Sequence, residues 1–132
     1  MEAKTHAAVD PALSGRIAAL EPGRCTLELL TLPCMAADDT GLVHGGFVFS
    51  AADHAAMLAV NEPNVVLAAA QVQFLKPFRV GETLRIEARV TDGDGRKPTV
   101  EALARDSEGV EVFKGTFHCA VPSRHVLTPR PA

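Results

Sequence analysis

No apolar run in this chain approaches 18 residues, so no segment reads as a membrane-spanning helix. There is no basic run either, and the formal net charge is -3, which argues against nucleic acid as the main partner. The first residues, "MEAKTHAAVD", lack an apolar core and read as neither a signal nor a transit peptide, so a cytoplasmic location is expected. Cysteine is scarce: Cys25, Cys34 and Cys119 are odd in number and scattered, which predicts free thiols in a reducing compartment. No Cys or His pair has the spacing of zinc ligands, so no metal site is expected. His118 and Cys119 are adjacent on a predicted strand and should face opposite sides, which makes them a poor nucleophile dyad and Cys119 an inert buried thiol.

What is present is enough for one hydrophobic core: 132 residues, 47% apolar and 22% charged, without repeats or low-complexity segments. Residues 1–14 are weakly patterned and read as an N-terminal arm or short helix. "GRIAAL", the turn "EPGR" and "CTLELLTL" then read as a hairpin, with Pro22-Gly23 suited to a type II turn and Cys25, Leu27 and Leu29 alternating with polar residues. After a loop, "HGGFVFSAADHAAMLAV" predicts one helix over about Gly46 to Val60. Eleven of the 14 residues from Phe47 to Val60 are apolar, so this helix must be covered on most sides. Pro63 forbids its continuation.

Everything after "NEPN" reads as strand. "VVLAAAQVQFL" is followed by "KPFRVGE" and by "TLRIEARV", which places Leu84, Ile86, Ala88 and Val90 on one face. "TDGDGRKP" is a hairpin turn, "TVEALARD" a strand, and "VEVFKGTFHCAVP" closes the sheet. In that last strand the apolar phase shifts, which predicts a bulge near Gly115. A domain over 15–122 and a mobile tail over 123–132 complete the expectation. The fold class is α+β: one long central helix wrapped by a curved antiparallel sheet of five to six strands. Because so few strands cannot cover every face of the helix, a partner subunit is expected.

These residues resemble a known family. "HGGFVFSAADHAAMLAVNEP", with His-Gly-Gly and an Asp nine residues after the His, is similar to the central helix of hotdog-fold acyl-CoA thioesterases of the phenylacetate-pathway type. "VQFLKPFRVGETLRIEARV" resembles that family's Phe-Leu-Lys/Arg-Pro and Val-Gly-Glu/Asp segments. The resemblance is most specific over about residues 41 to 92, and the element order is compatible from Gly15 to Val121. It implies an acyl-CoA substrate, no cofactor, and a homodimer or a dimer of dimers. It also implies that Gly45 is the oxyanion donor and Asp53 the general base or the nucleophile.

The residues themselves fit that chemistry. Gly45-Gly46 at a helix start offers free backbone N–H groups and the positive end of the helix dipole. Asp53 in an apolar setting should have a raised pKa, useful in a base. The two are eight residues apart, roughly 12 Å along a helix, so one carbonyl within about 3 Å of both requires two subunits. His44 either satisfies a backbone carbonyl or, as the resemblance implies, positions the loop and substrate. His54 is expected to be structural, and Ser50 to bond back to the helix backbone.

An acyl pocket is expected beside the helix, with Phe47, Phe49 and Met57 as candidate walls and no Tyr to supply a phenol-binding hydroxyl. Gly46 is a further candidate contact to substrate. Lys76, with Arg79, Arg96 and Lys97, could meet the CoA phosphates. Two departures stand out. Several family members have Asn six residues before the His, where this chain has Asp38, and an ionised carboxylate there would repel an oxyanion. Some also carry a Ser or Thr on the strand after the helix, where Leu67 to Ala70 has no hydroxyl and only Gln71 or Gln73 follows. A non-catalytic acyl-CoA-binding or regulatory hotdog protein is therefore the alternative expectation.

Overall fold

The computed structural model describes residues 1–93 and 95–129; the turn residue Asp94 and the last three residues of the expected tail lie outside the described residues. A single helical turn, α1 (Pro11–Ser14), starts at Asp10, whose carboxylate accepts from the Ala12 N–H. β1 (Arg16–Glu21) and β2 (Arg24–Leu30) form the first hairpin, with Gly23 at φ 75°, the left-handed geometry that a type II turn reserves for glycine. A 3-10 turn (Pro33–Met35) and a loop lead into α2 (Gly45–Val60), which begins one residue before the predicted start. β3 (Val66–Phe74), β4 (Thr83–Asp92), β5 (Thr99–Arg105) and β6 (Glu111–Ala120) follow.

The six strands form one antiparallel sheet in the order β1-β2-β4-β5-β6-β3, and α2 packs chiefly against β2, β4 and β5. One helix gripped by a curved, unclosed sheet is the hotdog architecture. No helix among the described residues is long and apolar enough to cross a membrane.

Alternation decides which side chains meet the helix. Cys25, Leu27 and Leu29 of β2 and Leu84, Ile86 and Ala88 of β4 are all buried, while their neighbours form exposed ion pairs such as Arg85–Glu28 and Arg89–Glu101. Ala51, Ala52, Ala55, Ala56 and Ala59 on α2 are buried, and their small size lets the helix sit close to the sheet. The helix ends at Asn61 in the left-handed conformation, φ 52°. Its side chain also holds the N-terminal segment, accepting from the Lys4 N–H at 2.8 Å and donating to the Glu2 carbonyl at 3.0 Å.

The bulge in β6 is not at Gly115. Val112 and Phe113 are consecutive yet both buried, and the pairing with β5 skips a residue there: Ala104 faces Phe113, but Arg105 faces Glu111. Gly115 answers a different need. A Cβ on it would stand 2.7 Å from Val72 Cγ1 and 3.1 Å from the Gln71 carbonyl, so glycine is what lets β3 approach β6.

Beyond its first turn, α2 leaves four residues partly exposed: Phe49, Ser50, Asp53 and Val60. Phe49, Asp53 and Val60 fall within about 40° of one another around the helix at 3.6 residues per turn. The sheet therefore leaves one stripe of α2 open, and Asp53 is in the middle of it. The neighbouring edge strand β3 pairs only with β6 and exposes Ala68, Ala69 and Phe74.

Candidate active site

Asp53 is held by an apolar helix and has nothing to hold on to. Its Oδ1 is buried without a hydrogen-bond partner. Burial in that setting raises the carboxyl pKa, because the charged form loses water and gains no donor in return. The charge reaches Cys119 on β6: burial first, then the Asp53 carboxylate, push that thiol up to about 11. Cys119 is buried while His118 is exposed, on opposite faces of β6.

At the other end of the helix, His44 is the N-cap and makes no side-chain cap bond to α2. The early N–H groups of the helix therefore keep their positive field without a side chain to quench it. The His44 backbone N–H donates to the Met35 carbonyl at 2.9 Å, and its exposed ring folds back over Gly46. A Cβ on Gly46 would lie 2.9 Å from His44 Nε2, and the ring meets Phe47 edge-on at 6.1 Å. Gly45 meets a residue that the alternation alone did not single out. A Cβ there would stand 3.0 Å from Cε1 of Phe74, at the far end of β3. The "QFLKP" segment was the one sequence signal near that contact, and it gave no spatial neighbour.

Other candidates are more dispersed. Met57 is fully buried in the core and Phe47 is half-buried. Lys76 is exposed just after β3, its N–H donating to the Val112 carbonyl at 3.3 Å. Asp38 is exposed and accepts from the Thr40 N–H at 2.9 Å and the Thr40 hydroxyl at 2.6 Å. The hydroxyl and then the amide lower its pKa, so this carboxylate is ionised and engaged within its own loop.

His54 is buried, and its Nδ1 donates to the Ser14 carbonyl at 2.9 Å, a structural contact that ties α2 to α1. Ser50 does not bond back to the helix backbone as expected; its hydroxyl pairs with that of Ser14 at 2.8 Å. Gln71 and Gln73 do not fill the place of the missing hydroxyl. Ala70 and Val72 pack on the core, which turns both glutamines to the outer face of the sheet. There they line a concavity of about 1060 Å³ with Thr26, Glu87, Arg89 and Lys114, on the side away from Asp53.

Comparison with known proteins places this geometry in a lineage. The sequence pattern of the thioesterase superfamily matches residues 40–113, more than half of the chain, including both ends of the α2 site. Among curated relatives, a methylthioribose-1-phosphate isomerase of Aquifex aeolicus is 48% identical over 117 residues, which is 89% of this chain but 25% of that protein. The transcription factor FapR of Staphylococcus aureus is 28% identical over 78 residues, 59% of this chain and 42% of that one. The chain thus spans less than half the length of either.

Among solved structures, PH1136 from Pyrococcus horikoshii is 43% identical, with a TM-score of 0.94 over 97% of this chain and 98% of its own. The fold alone is shared with PaaI from the phenylacetic acid degradation operon of E. coli (22% identity, TM-score 0.82, 91% and 88% covered). It is also shared with smu.793 of Streptococcus mutans, solved bound to acetyl CoA (21% identity, TM-score 0.77, 84% and 90% covered). With its central helix, its unpaired carboxylate and its uncapped His-Gly-Gly, this chain belongs to the thioesterase superfamily and has the hotdog fold.

Proposed function

We propose that the protein is an acyl-CoA thioesterase that works as a homodimer, joining Gly45 of one subunit to Asp53 of the other. The observation that carries this reading is the buried, unpartnered Oδ1 of Asp53 on the one stripe of α2 that the sheet leaves open. An orphaned buried carboxylate oxygen costs stability, and such a group is kept where it acts on something that is not part of the resting fold. The free edge of β3 beside that stripe supplies an apolar surface for a second copy. Family membership and the acetyl CoA held by a structural neighbour agree with the substrate class.

In the proposed reaction the Gly45 N–H donates to the thioester oxygen and stabilises the charge that builds on it. The Asp53 carboxylate either takes a proton from water as that water adds to the carbonyl, or adds to the carbonyl itself and is released by water. In both routes the C–S bond breaks, the thiolate takes up a proton, and the net products are CoA thiol and a carboxylic acid. Asp38 is bound to Thr40 and takes no part. Exposed Lys76 and Arg79 are the cations on hand for the phosphates, and free cysteines suit a cytoplasmic protein.

A mixing experiment tests the shared site. Asp53→Asn removes the base. Gly45→Pro removes the N–H at the first helical position, where the His44 backbone (φ -64°, ψ 128°) suits a following proline. Because its ring also crowds Phe74, Gly45→Ala, which adds the Cβ but keeps the N–H, is the control and should keep most of the activity. Asp53→Asn and Gly45→Pro should each alone lose about 10²- to 10⁴-fold in thiol release. Co-expressed or refolded together, they should recover about a quarter of wild-type activity, because half of the random dimers are mixed and each has one intact site. A mixture no more active than its components would sink the shared-site mechanism.

The similarity to FapR over 78 residues favours a second reading, a regulatory acyl-CoA binder. Tight acyl-CoA binding with no thiol released from aliphatic, branched or aromatic acyl-CoAs would establish that reading instead.

A further inference from the structure

We infer that Phe74 is the residue that takes the acyl group and selects for it, an inference that rests on the thioesterase reading above. Phe74 ends β3 with its ring directed at the start of α2. Its Cε1 and Cδ1 lie 3.0 and 3.3 Å from where a Cβ on Gly45 would stand, so the ring sits in the space beside the Gly45 Cα that a side chain would take. Fully buried Phe113 fixes one side of the ring, edge-on at 5.3 Å and 71°. The other side is open in the single chain: Phe74 is 57% exposed, and Leu75 beside it is 44% exposed.

This places an apolar wall at a defined distance from the reacting group. A carbonyl oxygen bonded to the Gly45 N–H lies about 2.9 Å from that nitrogen. Whatever the carbonyl carbon bears is then within reach of the ring. A thioester carbonyl has two flanks. The pantetheine arm is rich in amides and needs hydrogen-bond partners, which neither Phe74 nor Leu75 can give. A hydrocarbon acyl chain needs none and gains by leaving water. The substrate class that fits is therefore an apolar acyl group of several carbons, aliphatic or aryl, in preference to acetyl or to a charged acyl group.

Thiol-release kinetics with acetyl-, octanoyl- and benzoyl-CoA on wild type, Phe74→Leu and Phe74→Ala test this. In Phe74→Ala, kcat/KM for the octanoyl and benzoyl substrates should fall roughly tenfold further than for acetyl-CoA, as expected for losing part of a buried aromatic contact. Phe74→Leu should recover octanoyl-CoA better than benzoyl-CoA. An equal loss for all three substrates would overturn the proposal. A second measurement does not depend on turnover. The chain has no Trp, so Phe74→Trp in an Asp53→Asn background carries the sole indole. Its emission should shift to the blue with octanoyl-CoA and not with CoA. The same response to both overturns the assignment of Phe74. Failure of wild type to hydrolyse any acyl-CoA, with the emission difference intact, overturns only the thioesterase reading.

Discussion

Replacing Asp53 by Asn should stabilise the protein at neutral and alkaline pH while abolishing turnover. The native carboxyl pKa is raised by burial, so the folded state binds a proton more tightly than the unfolded chain does. For a raised pKa, the associated stability is fully present below the unfolded value, about 3.9, and is lost as pH rises through the native value. Above that window the fold holds an ionised carboxylate whose Oδ1 has no donor. Leaving a buried acceptor unsatisfied costs about 1–3 kcal/mol, and the lower end is appropriate because the Asn amide also lacks full partners. For a chain of this size, a gain of about 1 kcal/mol raises Tm by about 3–6 °C. Thermal unfolding followed by circular dichroism, at one protein concentration because a dimer would shift with it, should show that gain at pH 8. The gain should shrink steadily as pH falls through the raised native value towards the unfolded one. An Asn variant less stable than wild type at pH 8 would refute the reasoning, since it would mean that the native carboxylate has a partner which the amide cannot keep.

Two further outcomes follow from packing and from thiol environments. Gly115→Ala puts a methyl group 2.7 Å from Val72 Cγ1 between β6 and edge strand β3, and should cost about 1–3 kcal/mol in denaturant unfolding; Val72→Ala in the same chain should relieve part of it. Under native conditions a disulfide-exchange reagent should label Cys34 quickly and the other two thiols slowly. Cys34 is exposed, whereas Cys25 and Cys119 are buried with thiols pushed up to about 12 and about 11; three equal rates would contradict this.

Much of this molecule was legible from local pattern. The apolar run from Phe47 to Val60 marked a covered helix, and alternation in β2 and β4 named the side chains that meet it. Asp53 stood out because a carboxylate in such a run needs a reason. What pattern could not give is adjacency across the sheet. β3 pairs with β6 rather than β4, so Phe74, 29 residues after Gly45, becomes its neighbour through a strand order that no period encodes. The shift in apolar phase along the last strand pointed to a bulge near Gly115, and the extra residue falls three positions earlier, at Val112, where two successive side chains are both buried. Gln71 and Gln73 were indistinguishable from the missing hydroxyl's stand-ins until the face of β3 was known. Asp38 is a local matter: an Asx turn with Thr40 was written in "DDT", and it engages the carboxylate within its own loop.

The two glycines after His44 divide into what the fold needs and what a reaction would need. A Cβ on Gly45 would crowd the Phe74 ring at 3.0 Å and one on Gly46 the His44 ring at 2.9 Å, contacts to which these exposed side chains would have to yield. Packing therefore favours glycine at both positions, and the glycines taken by themselves are weak evidence of chemistry. Packing does not account for an α2 start without a side-chain cap, or for a carboxylate left unpaired halfway along the same helix. A cap at position 44 and a hydroxyl near Asp53 are each worth about 1 kcal/mol to a fold of this kind. The unpaired carboxylate lies in the middle of the stripe that the sheet leaves uncovered, and the uncapped start is the N-terminal end of the same helix. Within one chain, roughly 12 Å of helix separates them, too far to share a carbonyl. In the proposed homodimer, antiparallel pairing of two copies along that stripe would bring each unfilled donor to the other's unfilled acceptor.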